Sequence, residues 1–132
     1  MEKLFRKAVV HALKPLHAVS IENGCGVGTP DVNCTKGWLE LKEVKSWPKK
    51  WDTPLRIPHF SQEQRVWLAR RANAGGNCWV LLKVGKDYLL LEPKHAILFL
   101  GYAIRQTLVD LASWKSLGSF DEAGLLQYLT AQ

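Results

Sequence analysis

The chain has 132 residues, 47% of them hydrophobic, the size and composition of one globular domain with a proper core. Its greasiest run, Ala96–Ala103, is too short to cross a membrane, and the first residues lack a signal-peptide pattern. Net charge is +6 and unevenly spread: residues 1–71 hold 13 Lys/Arg against 7 Asp/Glu, whereas residues 72–132 hold 5 of each.

Residues 2–17 are expected as a helix, because Phe5, Val9, Ala12/Leu13 and Leu16 recur at helical spacing. Glu2 lies a turn before Phe5 and Arg6, where it can point toward a sheet edge. Val19–Glu22 reads as a short first strand. The glycines of 23–28 invite a phosphate-loop reading, but no Gly-Lys-Ser/Thr follows and the next segment is strand-like, so that reading is set aside. This loop is expected either to bring backbone close to a phosphate or a partner chain, or to be a plain turn.

Residues 31–44 read as a hairpin. Lys36-Gly37 has the Gly that suits a two-residue loop, which would pair Asn33 with Glu40, Val32 with Leu41 and Asp31 with Lys42. Side chains alternate, so Val32, Cys34, Leu39 and Leu41 share the apolar face, and Asp31, Asn33, Glu40 and Lys42 share the other. In that register Asp31 lies across from Lys42 and diagonal to Glu40, roughly 7–8 Å away at the backbone. Two carboxylates so spaced can converge on one hard cation, with Lys42 placed to orient an attacking water. The same pattern also suits a half-solvated strand with an ordinary ion pair worth less than about 1 kcal/mol.

Three prolines keep most of 45–58 irregular. Its basic residues Lys45, Lys49, Lys50 and Arg56 alternate with Trp47 and Trp51, a pattern that suits gripping a nucleic-acid backbone and stacking on bases, or a lid packed on the core. Ser61–Ala74 is the second helix, stopped by Gly75-Gly76. Its Ser61-Gln62-Glu63-Gln64 start is a capping box in its own right, and Arg65, Arg70 and Arg71 are candidate phosphate contacts or a solvated face. Cys78–Val84 and Tyr88–Glu92 form a second, buried hairpin. From Lys94 to Lys115 the apolar spacing predicts one helix, and Ser119 with Glu122 opens a last one, the two covering the sheet or making a dimer. The three cysteines (Cys25, Cys34, Cys78) are odd in number and lack C-x-x-C spacing, which argues against disulfides or structural zinc and for a reducing cytoplasm. The four histidines are scattered, consistent with surface or capping roles, although His59 adjoins the candidate site. No Ser or Cys has a recognisable base partner for acyl chemistry.

Gly28-Thr29-Pro30-Asp31 followed by Glu40-Leu41-Lys42 resembles the signature of the PD-(D/E)xK nuclease superfamily. Within it the chain is most similar to the small VRR-NUC and archaeal-type Holliday junction resolvase groups, which also carry Ser-x-x-Gln at the start of the next helix, here Ser61 to Gln64. They carry an acid on the first helix, for which Glu2 is the candidate and Glu22 the second choice. The likeness spans about the first 90 residues. It implies an α/β restriction-endonuclease-like fold, an αβββαβ core with a mixed sheet, in which residues 1–93 form the catalytic core and 94–132 a helical extension.

The resemblance further implies a Mg²⁺-dependent endonuclease, with Mn²⁺ substituting, that leaves 5′-phosphate and 3′-hydroxyl ends. Asp31 and Glu40 would hold the metal with the Leu41 carbonyl, Lys42 would position the attacking water, Gln64 would assist, and Glu2 would complete the shell. Lys45, Lys49, Lys50, Arg56, Ser61 and Arg65 would contact DNA. An excess of positive charge around an acidic centre suits such an enzyme, the cations holding phosphates and the acids the metal. Resolvases of this kind act as symmetric dimers on branched DNA in recombination and repair, and small ones often occur in phages and mobile elements. A flap, nicking or single-strand nuclease with the same site, a catalytically inactive DNA-binding module, and a basic interaction module with ordinary ion pairs are the alternatives.

Overall fold

Pro15 ends the first helix earlier than its apolar spacing suggests. The structure, a computed structural model, describes residues 2–22 and 26–132. Helix α1 runs Glu2–Ala12 and buries Phe5, Val9 and Ala12. Pro15 has no N–H to donate to the preceding turn and its ring crowds the carbonyl four residues back, so the chain tightens into a 3₁₀ turn, Lys14–Leu16, rather than continuing the helix to residue 17. His17 closes that turn in the left-handed region (φ 55°), its N–H donating to the Lys14 carbonyl at 2.9 Å. Strand β1 is only Val19–Ser20.

Asn23, Gly24 and Cys25, half of the glycine-rich loop, lie outside the described residues. Beyond them Gly28 adopts φ 82°, and a Cβ there would sit 2.4 Å from the Glu63 carbonyl oxygen. The close approach this glycine permits is therefore to the first turn of the second helix. Gly28→Ala is expected to cost at least about 2 kcal/mol, from left-handed strain and this clash together, read as a fall of several degrees in Tm.

Strands β2 (Val32–Cys34), β3 (Gly37–Val44), β4 (Cys78–Val84), β5 (Asp87–Leu91) and β6 (Trp114–Ser116) join β1 in one six-stranded mixed sheet, ordered as in sequence. All neighbours are antiparallel except β3 and β4, whose parallel pairing requires the long crossover that carries helix α2, Gln62–Asn73. The β2–β3 loop is Thr35-Lys36, not Lys36-Gly37: Cys34 faces Gly37 and Val32 faces Leu39. Gly37 is needed one step later, where β3 starts against the residue before β4; a Cβ on it would lie 2.3 Å from the Asn77 carbonyl oxygen. The register moves by two residues, so the β2 and β3 side chains keep their faces, and the paired ladder begins at Val32, which leaves Asp31 just outside it rather than across from Lys42.

Both faces of the sheet are covered. One packs Phe5 and Val9 of α1, Leu39 and Leu41 of β3, and Leu125 and Leu129 of helix α5 (Glu122–Thr130). The other packs Leu55, Phe60, Leu68 of α2, and Ala96, Leu100 and Leu108. The single helix expected over 94–115 is two, α3 (Pro93–Phe99) and α4 (Arg105–Leu111), followed by β6 on the free edge of β5. Tertiary contacts override the periodicity here: the Ile97 and Leu100 carbonyls accept from Arg65, and the Ala103 carbonyl accepts from the Leu55 N–H. The cap of α5 is Asp121, whose side chain accepts from the Gly124 N–H, rather than Ser119. Among the described residues no helix is long and apolar enough to cross a membrane.

Candidate active site

Glu40 and Lys42 point from the middle of β3 to the face covered by α2, where a polar pair sits against a second apolar core. Glu40 is 1% exposed and Lys42 3%, so this is not the half-solvated strand that polar alternation alone allows. Lys42 Nζ lies 3.1 Å from Glu40 Oε2 and donates to the His59 carbonyl at 2.8 Å and to Gln64 Oε1 at 3.0 Å. An ammonium has three protons, and these are three acceptors. A buried cation with every donor engaged is fixed in both position and direction.

Gln64 reaches Lys42 because of how α2 begins. Ser61 is the N-cap: its Oγ accepts from the Gln64 N–H at 3.2 Å, and Gln64 Oε1 accepts from the Ser61 N–H at 3.0 Å. The capping box and the Lys42 contact are the same oxygen at work twice. Ser61→Ala is expected to cost about 1 kcal/mol in a thermal melt, and to free Gln64 from the rotamer that holds Lys42. His59 contributes its carbonyl, not its ring, from a residue in the left-handed region (φ 64°).

Asp31 stands just before β2, on the flank of β3 that this short strand leaves uncovered. Its Oδ2 accepts from the Leu41 N–H at 2.8 Å and its Oδ1 accepts from Arg6 at 3.1 Å. Arg6 was not legible as a site residue; the available signal is its i+4 spacing from Glu2 on the helix face that also buries Phe5 and Val9. Burial pushes the Glu40 carboxyl up to about 8, and the Asp31 charge adds to the rise against the opposing pull of Lys42. Burial also raises Glu2, opposed by Lys42 and reinforced by Asp31. Glu2, Arg6, Asp31, Glu40 and Lys42 thus form one charge cluster. Glu22 is exposed and is not among the charges acting on Glu40 or Glu2.

The candidate DNA contacts divide. Lys45, Lys49, Lys50 and Arg56 are exposed on the irregular crossover. Arg65 is held inward by its two carbonyl bonds to Ile97 and Leu100 and lies 4.1 Å from the Phe60 ring centroid, while Arg71 lies over Trp67. Trp47 donates to Asp87 at 2.8 Å and packs on the core, whereas Trp51 is 79% exposed. Cys34 and Cys78 are both buried free thiols.

Among the described residues no group of three or more His, Cys, Asp or Glu side chains gathers into a ready metal cage. Glu40 Oε1, however, is buried without a hydrogen-bond partner among the described residues. An orphaned carboxylate oxygen beside a second carboxylate fits a hard divalent cation; Mg²⁺ takes one or two carboxylates and leaves its other positions to water and phosphate. Fold and cluster together define a mixed α/β protein with a buried carboxylate–ammonium centre flanked by exposed cations. No model of a known protein family matches the chain, and no curated protein is significantly similar to it.

Proposed function

We propose that this protein is a metal-dependent, structure-specific endonuclease that hydrolyses phosphodiester bonds in DNA, similar to Holliday junction resolvases, with the core of a restriction-endonuclease-like fold. The single observation that carries the reading is the buried Glu40, with one oxygen on Lys42 and the other unpartnered, beside Asp31. The arrangement β2–β3 hairpin, α2 crossover and parallel β4 is compatible with the αβββαβ order that the sequence resemblance implies.

In this reading Asp31 and Glu40 hold Mg²⁺ (or Mn²⁺) together with the Leu41 carbonyl, and Glu2 completes the shell through water. When bound, the cation supplies Lewis acidity at the scissile phosphate and lowers the pKa of the attacking water. With Glu40 committed to the cation, the Lys42 proton that faces it would be free to orient that water and stabilise the charge that develops on it, while Gln64 and the His59 carbonyl keep the ammonium in place. The exposed Lys45, Lys49, Lys50 and Arg56 take the DNA phosphates. A junction presents two equivalent scissile phosphates, which a two-fold dimer would match.

One observation favours a second reading, an inactive DNA-binding module on the same fold. Both Asp31 oxygens already have protein partners, Arg6 and the Leu41 amide. The test is cleavage of end-labelled four-way junction, flap, duplex and single-stranded DNA, with Mg²⁺ or EDTA. Symmetric junction incisions lost with EDTA support the resolvase. Metal-dependent cutting of another structure keeps the chemistry and changes the specificity. Tight DNA binding with no cutting in Mg²⁺ or Mn²⁺ selects the inactive module.

A further inference from the structure

Two clefts that share Thr53 lie along the irregular crossover. The first, about 590 Å³, has Phe60, Arg65, Tyr102 and Arg56 in its walls. Phe60 ties it to the site, since Lys42 Nζ lies 5.5 Å from that ring's centroid. The second, about 420 Å³, is walled by Lys49, Lys50, Trp51 and Arg105. Among the described residues neither lining includes an acidic side chain.

Each cleft carries one large aromatic ring turned to solvent, Tyr102 at 71% and Trp51 at 79% exposure. Both are held by built structure. Arg65, pinned by two carbonyls, lies between Phe60 and Tyr102, 5.9 Å from the Tyr102 centroid. A turn closed by the Thr53 N–H on the Lys50 carbonyl at 3.3 Å carries Trp51 at its tip. Asp52 follows Trp51 on the same turn and Arg105 pairs with Asp87 at 3.3 Å, but Arg56, Lys49 and Lys50 leave the surface with an excess of cations. Exposed aromatic rings spaced among an excess of cations suit an unpaired polynucleotide strand: phosphates pair with the cations and bases stack on the rings. A duplex hides its base faces and has no use for such rings.

We propose that this surface, from Phe60 past Tyr102 and Arg56 to Trp51, holds an unpaired single strand of DNA leading away from the Lys42 site. The inference rests on the nuclease reading for what the strand is attached to, and it shifts the specificity within that reading: a flap or other branch with a single-stranded arm is then preferred over the fully paired four-way junction. Its binding chemistry stands apart from cleavage, so the two are tested separately.

Fluorescence anisotropy in EDTA compares a blunt duplex, the same duplex with a thymidine tail, and the tail built from abasic sites. Wild-type protein is expected to favour the thymidine tail about a hundredfold over blunt duplex, about tenfold for each ring. Trp51→Ala and Tyr102→Ala should each remove about tenfold of the affinity for it. The abasic tail should lose the same stacking with wild type and nothing further with the double variant. Lys50→Ala should lower the salt slope for the tailed DNA by about 0.7. Equal binding of blunt and tailed DNA, or a tail preference that survives in the double variant, overturns the proposal. Cleavage in Mg²⁺ is read in parallel: a ring-dependent tail preference without cutting retires the nuclease reading and keeps the strand site, whereas cutting without tail preference does the reverse.

Discussion

Glu40→Gln is expected, if the protein is the nuclease proposed above, to abolish cleavage, by about a thousandfold or more; in either case it is expected to make the protein more stable at alkaline pH. The loss follows from the role: a neutral amide is a poor ligand for a hard cation, and several kcal/mol of transition-state stabilisation corresponds to at least that factor. The gain follows from burial. The folded carboxyl titrates near 8 against an ordinary value of 4.5, so the folded state binds the proton more tightly than the unfolded chain does. Below about pH 4.5 both states are protonated and the site costs nothing. As pH rises through the window from 4.5 to 8, the unfolded chain ionises freely while the folded one resists, and stability falls. At about 1.4 kcal/mol for each pH unit the full effect is a few kcal/mol. Gln mimics the protonated acid and still offers an oxygen to Lys42 Nζ. Thermal melts in EDTA should therefore superimpose for the two proteins near pH 4.5 and separate progressively toward pH 8.5, the variant melting higher. Melts that stay superimposed at pH 8.5 would mean that Glu40 ionises without strain, and would remove the physical basis for a cation at this site. DNA binding in EDTA should be unchanged, which separates lost chemistry from lost recognition.

Such a trade of stability for a buried carboxylate is a mark of a functional site, and the sequence shows only half of it. Alternation along β3 was enough to place Glu40 and Lys42 on one side of the sheet, because a slip of two residues in pairing leaves every face unchanged; Asp31 lies before β2 and meets β3 at its edge, accepting from the Leu41 N–H. It was not enough to set the register. Gly37 looks like a turn glycine until Asn77, forty residues on, is seen to occupy the space of its Cβ. Nor did alternation reveal that the polar side is buried, since the cover comes from Leu55, Phe60 and α2, all distant in sequence. The Ser61–Gln64 pattern was legible as a cap, and its second use at Lys42 depends on the parallel crossover that sets α2 over β3. Arg6 offered only its i+4 spacing from Glu2, which does not point to a site; the fold is what brings it to Asp31. At the C-terminal end the local signal misled. Leu100, Ile104 and Leu108 keep helical spacing across a break made by bonds from Arg65 and Leu55, and β6 is too short to announce itself before it pairs with β5.

Lys42→Met tests the other half of the pair, and its cost is expected to depend on pH. Met keeps most of the volume and removes all three donors. Near pH 6 Glu40 in the variant stays protonated, because Lys42 was the charge holding its pKa down. What is lost there is the bonding of the His59 carbonyl, of Glu40 Oε2 and of one of the two donors to Gln64 Oε1, about 1–3 kcal/mol. Above pH 8 the wild-type carboxylate ionises against its ammonium, while the variant must either bury a lone charge or hold a proton that solvent now disfavours. The penalty then approaches the roughly 3–5 kcal/mol of a broken buried pair. Chemical denaturation at pH 6 and pH 9 measures the difference, and a cost equal at both would reduce Lys42 to packing. The double variant Glu40→Gln/Lys42→Met supplies the sharper comparison. With neither charge present, its stability at pH 9 should exceed the sum of the single effects on the Lys42→Met background, a coupling that vanishes toward pH 5 as Glu40 takes its proton. Cleavage should behave differently: in the proposed nuclease either single change would remove it at every pH, since there the water would need Lys42 for its orientation and the cation Glu40 for its place. A pair whose energetic coupling fades with acid while its catalytic loss does not is one retained for chemistry rather than for the fold.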